Sequence, residues 1–66
     1  MNVGKSLKLA LVKDGRTQRA FALDLGFGPV WVSRLANQRS ASMNTVETLA
    51  AAFGMSVSEF IRLGEE

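Results

Sequence analysis

The stretch Gln18–Asn37 reads QRAFALDLGFGPVWVSRLAN, and its punctuation decides the fold. Thr17 ahead of it suits an N-cap, where a hydroxyl takes an otherwise unpaired amide of a first helical turn. From Gln18 to Leu25 the apolar residues Phe21, Ala22 and Leu25 recur at helical spacing, which predicts a short helix with one buried stripe. Gly26 fits the left-handed backbone that ends helices. In Phe27-Gly28-Pro29, proline at a first helical position lacks only an amide hydrogen that would be unpaired there anyway, and it holds Gly28 extended. A second helix is therefore expected over 29–37. Val32 and Leu35 point inward, Phe27 packs beneath the start, and Pro29, Val30, Ser33, Arg34 and Asn37 remain on the outer surface.

The flanking residues extend the same pattern. Upstream, residues 3–14 place Val3, Leu7 and Ala10 or Leu11 on one face, with lysines 5, 8 and 13 beside it and Gly15 as terminator. Downstream, residues 38–42 form a polar loop ending in a cap, either Ser42 or Asn44. A helix over 43–53 is expected to bury Met43, Val46, Leu49, Ala50 and Phe53 and to stop at Gly54. Ser56-Val57-Ser58-Glu59 matches a capping box and opens a last helix over 57–63, with Val57, Phe60 and Ile61 as its apolar members. The 66 residues are too few for two ordinary domains, so the expectation is one all-α domain over 1–66, a compact five-helix bundle.

Composition excludes several functions. With 47% apolar residues and one proline the chain has the material for a core, and its apolar runs are too short to span a bilayer. There is no cysteine, which removes disulfides and thiolate chemistry, and no histidine, which removes the usual triads and zinc ligand sets. The six acids form no recognisable paired site. The reading is therefore a non-enzyme without metal, cofactor or small-molecule ligand. The opening Met-Asn-Val-Gly-Lys-Ser leads into a helical pattern without an apolar signal stretch, which points to a cytoplasmic, non-membrane protein. Charge is unevenly spread: residues 1–40 hold seven basic and two acidic groups, net +5, whereas 41–66 hold one and four, net −3. Such a field suits an anionic partner facing the first part of the chain.

Two short helices joined by a glycine turn, the second displaying a polar face, form the plan of the helix-turn-helix DNA reader. Gln18–Asn37 resembles the twenty-residue motif of the phage lambda repressor and Cro family of transcriptional regulators. Ala22 matches the small residue where the two helices touch, Gly26 the turn glycine, and Val32 and Leu35 the buried positions of the recognition helix. VGKSL resembles the family's first helix and LAAAFGMSVSEF its fourth and fifth, so nearly the whole chain is covered.

The resemblance implies a sequence-specific regulator that occupies double-stranded operator DNA as a homodimer, with helix three in the major groove. It implies a phosphate contact for Gln18 at a helix N-terminus, with Arg19 beside it within reach of another. Arg34 is a candidate for a guanine edge or for a phosphate. Val30 faces a thymine methyl and Ser33 a base or the backbone, while Asn37, Arg39 and Ser40 fall where the family grips the sugar-phosphate chain. A Cro-type repressor is the leading reading. Activation, antitoxin or controller roles on the same fold, and a protein-interaction module stand as alternatives.

The chain also departs from the family pattern. Gly28-Pro29 occupies positions where relatives often carry serine or an adenine-reading glutamine, so readout leans on Arg34, apolar groups and DNA shape. Trp31 stands where relatives have a small residue, either against the DNA or at the core edge. Leu11 and Ala36 replace an arginine and a glutamate that often pair between helices one and three, and are expected to pack together instead. Leu9 and Val12 are apolar where the family carries charge. Phe60, Ile61 and Leu63 are the candidates for a dimer contact, with Phe60 alternatively in the core.

Overall fold

The computed structural model describes residues 2–65, so the first and last residues of the expected 1–66 domain lie outside it. Its helices are α1 (Val3–Asp14), α2 (Gln18–Leu25), α3 (Pro29–Ala36), α4 (Met43–Ala52) and α5 (Val57–Leu63), and no strand occurs among the described residues. Each begins where the side chains dictate. Asn2, Thr17, Ser42 and Ser56 accept first-turn amides at the starts of α1, α2, α4 and α5, and Ser56 and Glu59 complete a capping box. The cap of α4 is thus Ser42, not Asn44. Pro29 opens α3 behind an extended Gly28.

Two helices are one residue shorter than their spacing implied. Asn37 is the C-cap of α3, and Phe53 is the C-cap of α4, where Gly54, at φ 69°, turns the chain left-handed immediately afterwards. Gly15 and Gly26 do the same after α1 and α2.

One core unites the five helices. Val3, Leu7, Ala10 and Leu11 of α1 meet Phe21 and Ala22 of α2, Val32, Leu35 and Ala36 of α3, Val46, Leu49 and Ala50 of α4, and Phe60 and Leu63 of α5. An aromatic column reinforces it: Phe21 stacks on Phe53 at 4.6 Å between ring centres, and Phe53 lies 6.3 Å from Phe60. Of the residues expected inside, Leu25, Phe53, Val57 and Ile61 are only half-buried at the edge of the core, and Met43 departs furthest. As the first residue of α4 it lies ahead of the packed turns and is 55% exposed.

Close backbone approaches fix α1 against its neighbours. The Val3 and Gly4 amides donate to the carbonyls of Arg39 and Gln38 at 2.9 and 2.8 Å. The loop after α3 thereby satisfies helix-start donors that no intrahelical partner can reach. At the same helix start, a β-carbon on Gly64 would lie 2.4 Å from both the Asn2 carbonyl and Ser6 Oγ, and the wholly buried Ser6 hydroxyl reaches the Ile61 carbonyl at 3.5 Å. No described helix is long and apolar enough to cross a membrane.

Candidate functional site

The α2–α3 pair carries the residues singled out from sequence. α2 packs on α3, and Gly26 at φ 77° followed by the Phe27 amide bonded to the Ala22 carbonyl, 3.0 Å, reverses the chain between them. With Val32, Leu35 and Ala36 turned into the core, helical geometry sends the intervening positions outward. Pro29, Val30, Ser33, Arg34 and Asn37 are all exposed, Val30 by 71%. They form one contiguous outer face of two turns, as the spacing predicted.

Within this face the chemistry is mixed. Arg34 makes no ion pair among the described residues, so its planar set of donors is available to a partner. One N–H of the Asn37 side-chain amide donates to the Ser33 carbonyl at 3.0 Å, which fastens this C-capping side chain along the last turn. Gly28 is exposed with them. Trp31 lies at the core edge, half-buried, packed against the core, and stacked on Phe27 at 4.3 Å. Phe27 itself is 42% exposed, so it supports the start of α3 from the side and not from beneath.

The remaining candidates lie outside α3. Gln18 is the first residue of α2 and half-buried, and Arg19 beside it is exposed. Arg39 and Ser40 are exposed in the loop after α3. The three residues considered for self-association do not form one surface. Phe60 is fully enclosed and Leu63 is buried, both serving the chain's own core, which leaves the half-exposed Ile61. This corrects their joint placement at a dimer contact, because side chains at spacings of three along α5 turn to the bundle. Leu9 is half-buried and Val12 78% exposed.

Arg16 has no role in the sequence pattern, and the structure gives it a specific place. Its guanidinium bonds to the carboxylates of Asp14 and Asp24, reaches the Ala52 carbonyl, and lies over the rings of Phe21 and Phe53 at 5.4 and 5.5 Å. The Asp14 hydrogen bond in particular raises its pKa above the usual arginine value. Arg16 thus gathers both acids of residues 1–40. No local pattern betrays such a contact, since its partners come from three elements. Gly4 did leave a signal: glycine inside a helix costs stability and asks for a close approach.

No group of three or more acids that would hold a metal ion occurs among the described residues. Searches against family models, curated proteins and solved structures return no match to this chain.

Proposed function

We propose that this chain is a sequence-specific double-stranded DNA-binding regulator of the helix-turn-helix type, with α3 lying in the major groove and α2 across it. The observation that carries the reading is the two-sided character of α3. It is anchored by Val32, Leu35 and Ala36 while Val30, Ser33, Arg34 and Asn37 stand exposed in one row on the cationic half of the chain. A helix held in this way can present donors and a methyl surface to base edges, with loop cations left for phosphates. Occupying an operator in this manner blocks polymerase, which is the Cro-type repressor mode, and symmetric half-sites would be met by a dimer. Ile61 is the residue of the proposed contact that remains accessible.

The test is selection of bound duplexes from a random pool near physiological salt, followed by affinity measurements over a salt series. The reading expects an enriched symmetric site and log K falling linearly with log salt. A flat salt response with no enriched site overturns it. A protein-interaction module is the second reading, favoured by Val12 and Leu23, 78% and 69% exposed. It expects partner capture that salt does not weaken and that substitution of these two residues abolishes.

A further inference from the structure

The opening turn of α3 is chemically unlike the turn that follows it. Gly28, Pro29 and Val30 are all exposed and carry no polar side-chain atom, and Trp31 is drawn to the core edge, where it stacks on Phe27. The main chain adds little here, because proline has no amide hydrogen and the Trp31 amide donates to the Gly28 carbonyl at 3.1 Å. Exposed hydrogen-bonding side chains enter α3 only with Ser33 and Arg34, one turn further on. A β-carbon built on Gly28 would meet no atom within 4 Å, so the surface ahead of Val30 is open to approach. Val30 itself is held in place between Pro29, whose backbone angle is fixed, and the wholly buried Val32. A contact the size of one methyl group requires that rigidity.

An exposed valine on a reading face gains most from an apolar group on its partner. Base edges in the major groove are donors and acceptors with one exception, the methyl group at C5 of thymine. Cytosine methylated at C5 carries the same group at the same ring position, whereas cytosine and uracil carry hydrogen there. Thymine and 5-methylcytosine differ at C4, a carbonyl in one and an amino group in the other, and only a hydrogen-bonding group can tell these apart. Neither Pro29 nor Val30 has such a side chain.

We infer that the first turn of α3 reads pyrimidine 5-methyl groups through Val30, so that the chain accepts 5-methylcytosine where it accepts thymine. The inference rests on the DNA-binding reading above and deepens it: cytosine methylation of the duplex becomes an input that sets occupancy.

The experiment uses the full chain and the duplex selected from the random pool. Each thymine is replaced in turn by deoxyuridine, which deletes the methyl group and keeps the pairing edge. At each sensitive position the T·A pair is then exchanged for 5-methylcytosine·G and for cytosine·G, and binding is followed by fluorescence anisotropy of the labelled duplex. The same duplexes are titrated with Val30→Ser, which removes both valine methyls at an exposed site, with unchanged melting curves as the control.

One or two thymines per half-site should bind roughly fourfold more weakly as uracil, the effect of about one buried methyl group. At those positions 5-methylcytosine should bind roughly fourfold more tightly than cytosine. Val30→Ser should bind thymine and uracil duplexes alike, and methylated and unmethylated cytosine alike. Uracil equal to thymine at every position, or a selected half-site lacking thymine, overturns the inference, as does 5-methylcytosine bound no more tightly than cytosine. Methyl discrimination that survives Val30→Ser belongs to another residue and overturns it too. In each of these cases salt-dependent binding of an enriched site leaves the DNA-binding reading standing. A wild-type chain with no such binding removes both.

Discussion

The amide of Gly4 bonds to the carbonyl of Gln38 at 2.8 Å, and a β-carbon on Gly4 would sit 2.6 Å from that same oxygen. Hydrogen bond and absent side chain are two aspects of one contact: α1 reaches the loop after α3 closely enough to bond because nothing projects from position 4. Ordinarily alanine at a helix-interior glycine stabilises by roughly 0.5–1 kcal/mol. Here the obstacle is backbone, which cannot swing aside as a flexible side chain does. Gly4→Ala should therefore destabilise, by about 1–3 kcal/mol as overpacked sites do. Thermal unfolding followed by circular dichroism checks the sign, and a melting midpoint at or above that of the wild type contradicts it.

The expected packing of Leu11 on Ala36 gives a second prediction. Both are buried, 4% and 3% exposed, in the one core that α1 and α3 share. Arginine at position 11 would carry a charge into that core, with no carboxylate at position 36 to receive it. Leu11→Arg should cost about 3–5 kcal/mol or more, near the whole stability of a domain this small. Restoring the pair with Leu11→Arg and Ala36→Glu together should recover part of the loss. A double variant no more stable than the single one would show that the two positions do not face each other.

Arg16 predicts a different kind of sensitivity. Its partners Asp14 and Asp24, the Ala52 carbonyl and the rings of Phe21 and Phe53 tie the α1–α2 turn to the end of α4. Arg16→Gln should lower the melting midpoint, and added salt should narrow the gap between wild type and variant, since exposed ion pairs are screened. A gap independent of salt would assign the effect to packing on the rings instead.

Most of the scaffold was legible in the sequence because it is specified locally. Asn2, Thr17, Ser56 and Pro29 act within one turn of themselves, and Gly15, Gly26 and Gly54 set their own backbone angles. The outer row on α3 follows from the inward pair Val32 and Leu35 by helical periodicity alone. What periodicity does not specify is which face of a helix end stays covered once other elements arrive. Met43 falls on the apolar stripe of α4 yet lies ahead of the packed turns, whereas Leu63 is covered although α5 ends there. The closure of α1 on the loop after α3 was equally hidden, because it depends on a bond between residues 4 and 38.

Phe60 and Ile61 are adjacent in α5 and about 100° apart around it, and that separates folding from association. Phe60 is fully enclosed against Phe53, while Ile61 is half-exposed. Phe60→Ala should remove about 3–5 kcal/mol of stability. Ile61→Ala should lower the melting midpoint much less than Phe60→Ala and shift sedimentation toward the monomer if α5 forms the self-contact. Unaltered sedimentation of Ile61→Ala would move that contact to another surface.

Arg34 carries the most discriminating prediction. Its side chain is exposed on the outer face of α3, with no acidic partner among the described residues, so truncation should leave the fold intact. If the guanidinium takes guanine O6 and N7 together, Arg34→Ala should lose about 1–3 kcal/mol of discrimination at one or two positions per half-site, with binding to other duplexes little changed. A phosphate contact predicts the opposite division: equal weakening on every sequence and a salt slope lower by about 0.9. Repeating the duplex selection with Arg34→Ala separates these outcomes, and the half-buried Trp31, stacked on Phe27 at the opening of α3, offers a fluorescence signal for the titrations. Selected sites identical to those of the wild type, bound with the same affinity and salt slope, would place α3 outside the groove. The DNA-binding reading would then have to rest on another face of the bundle.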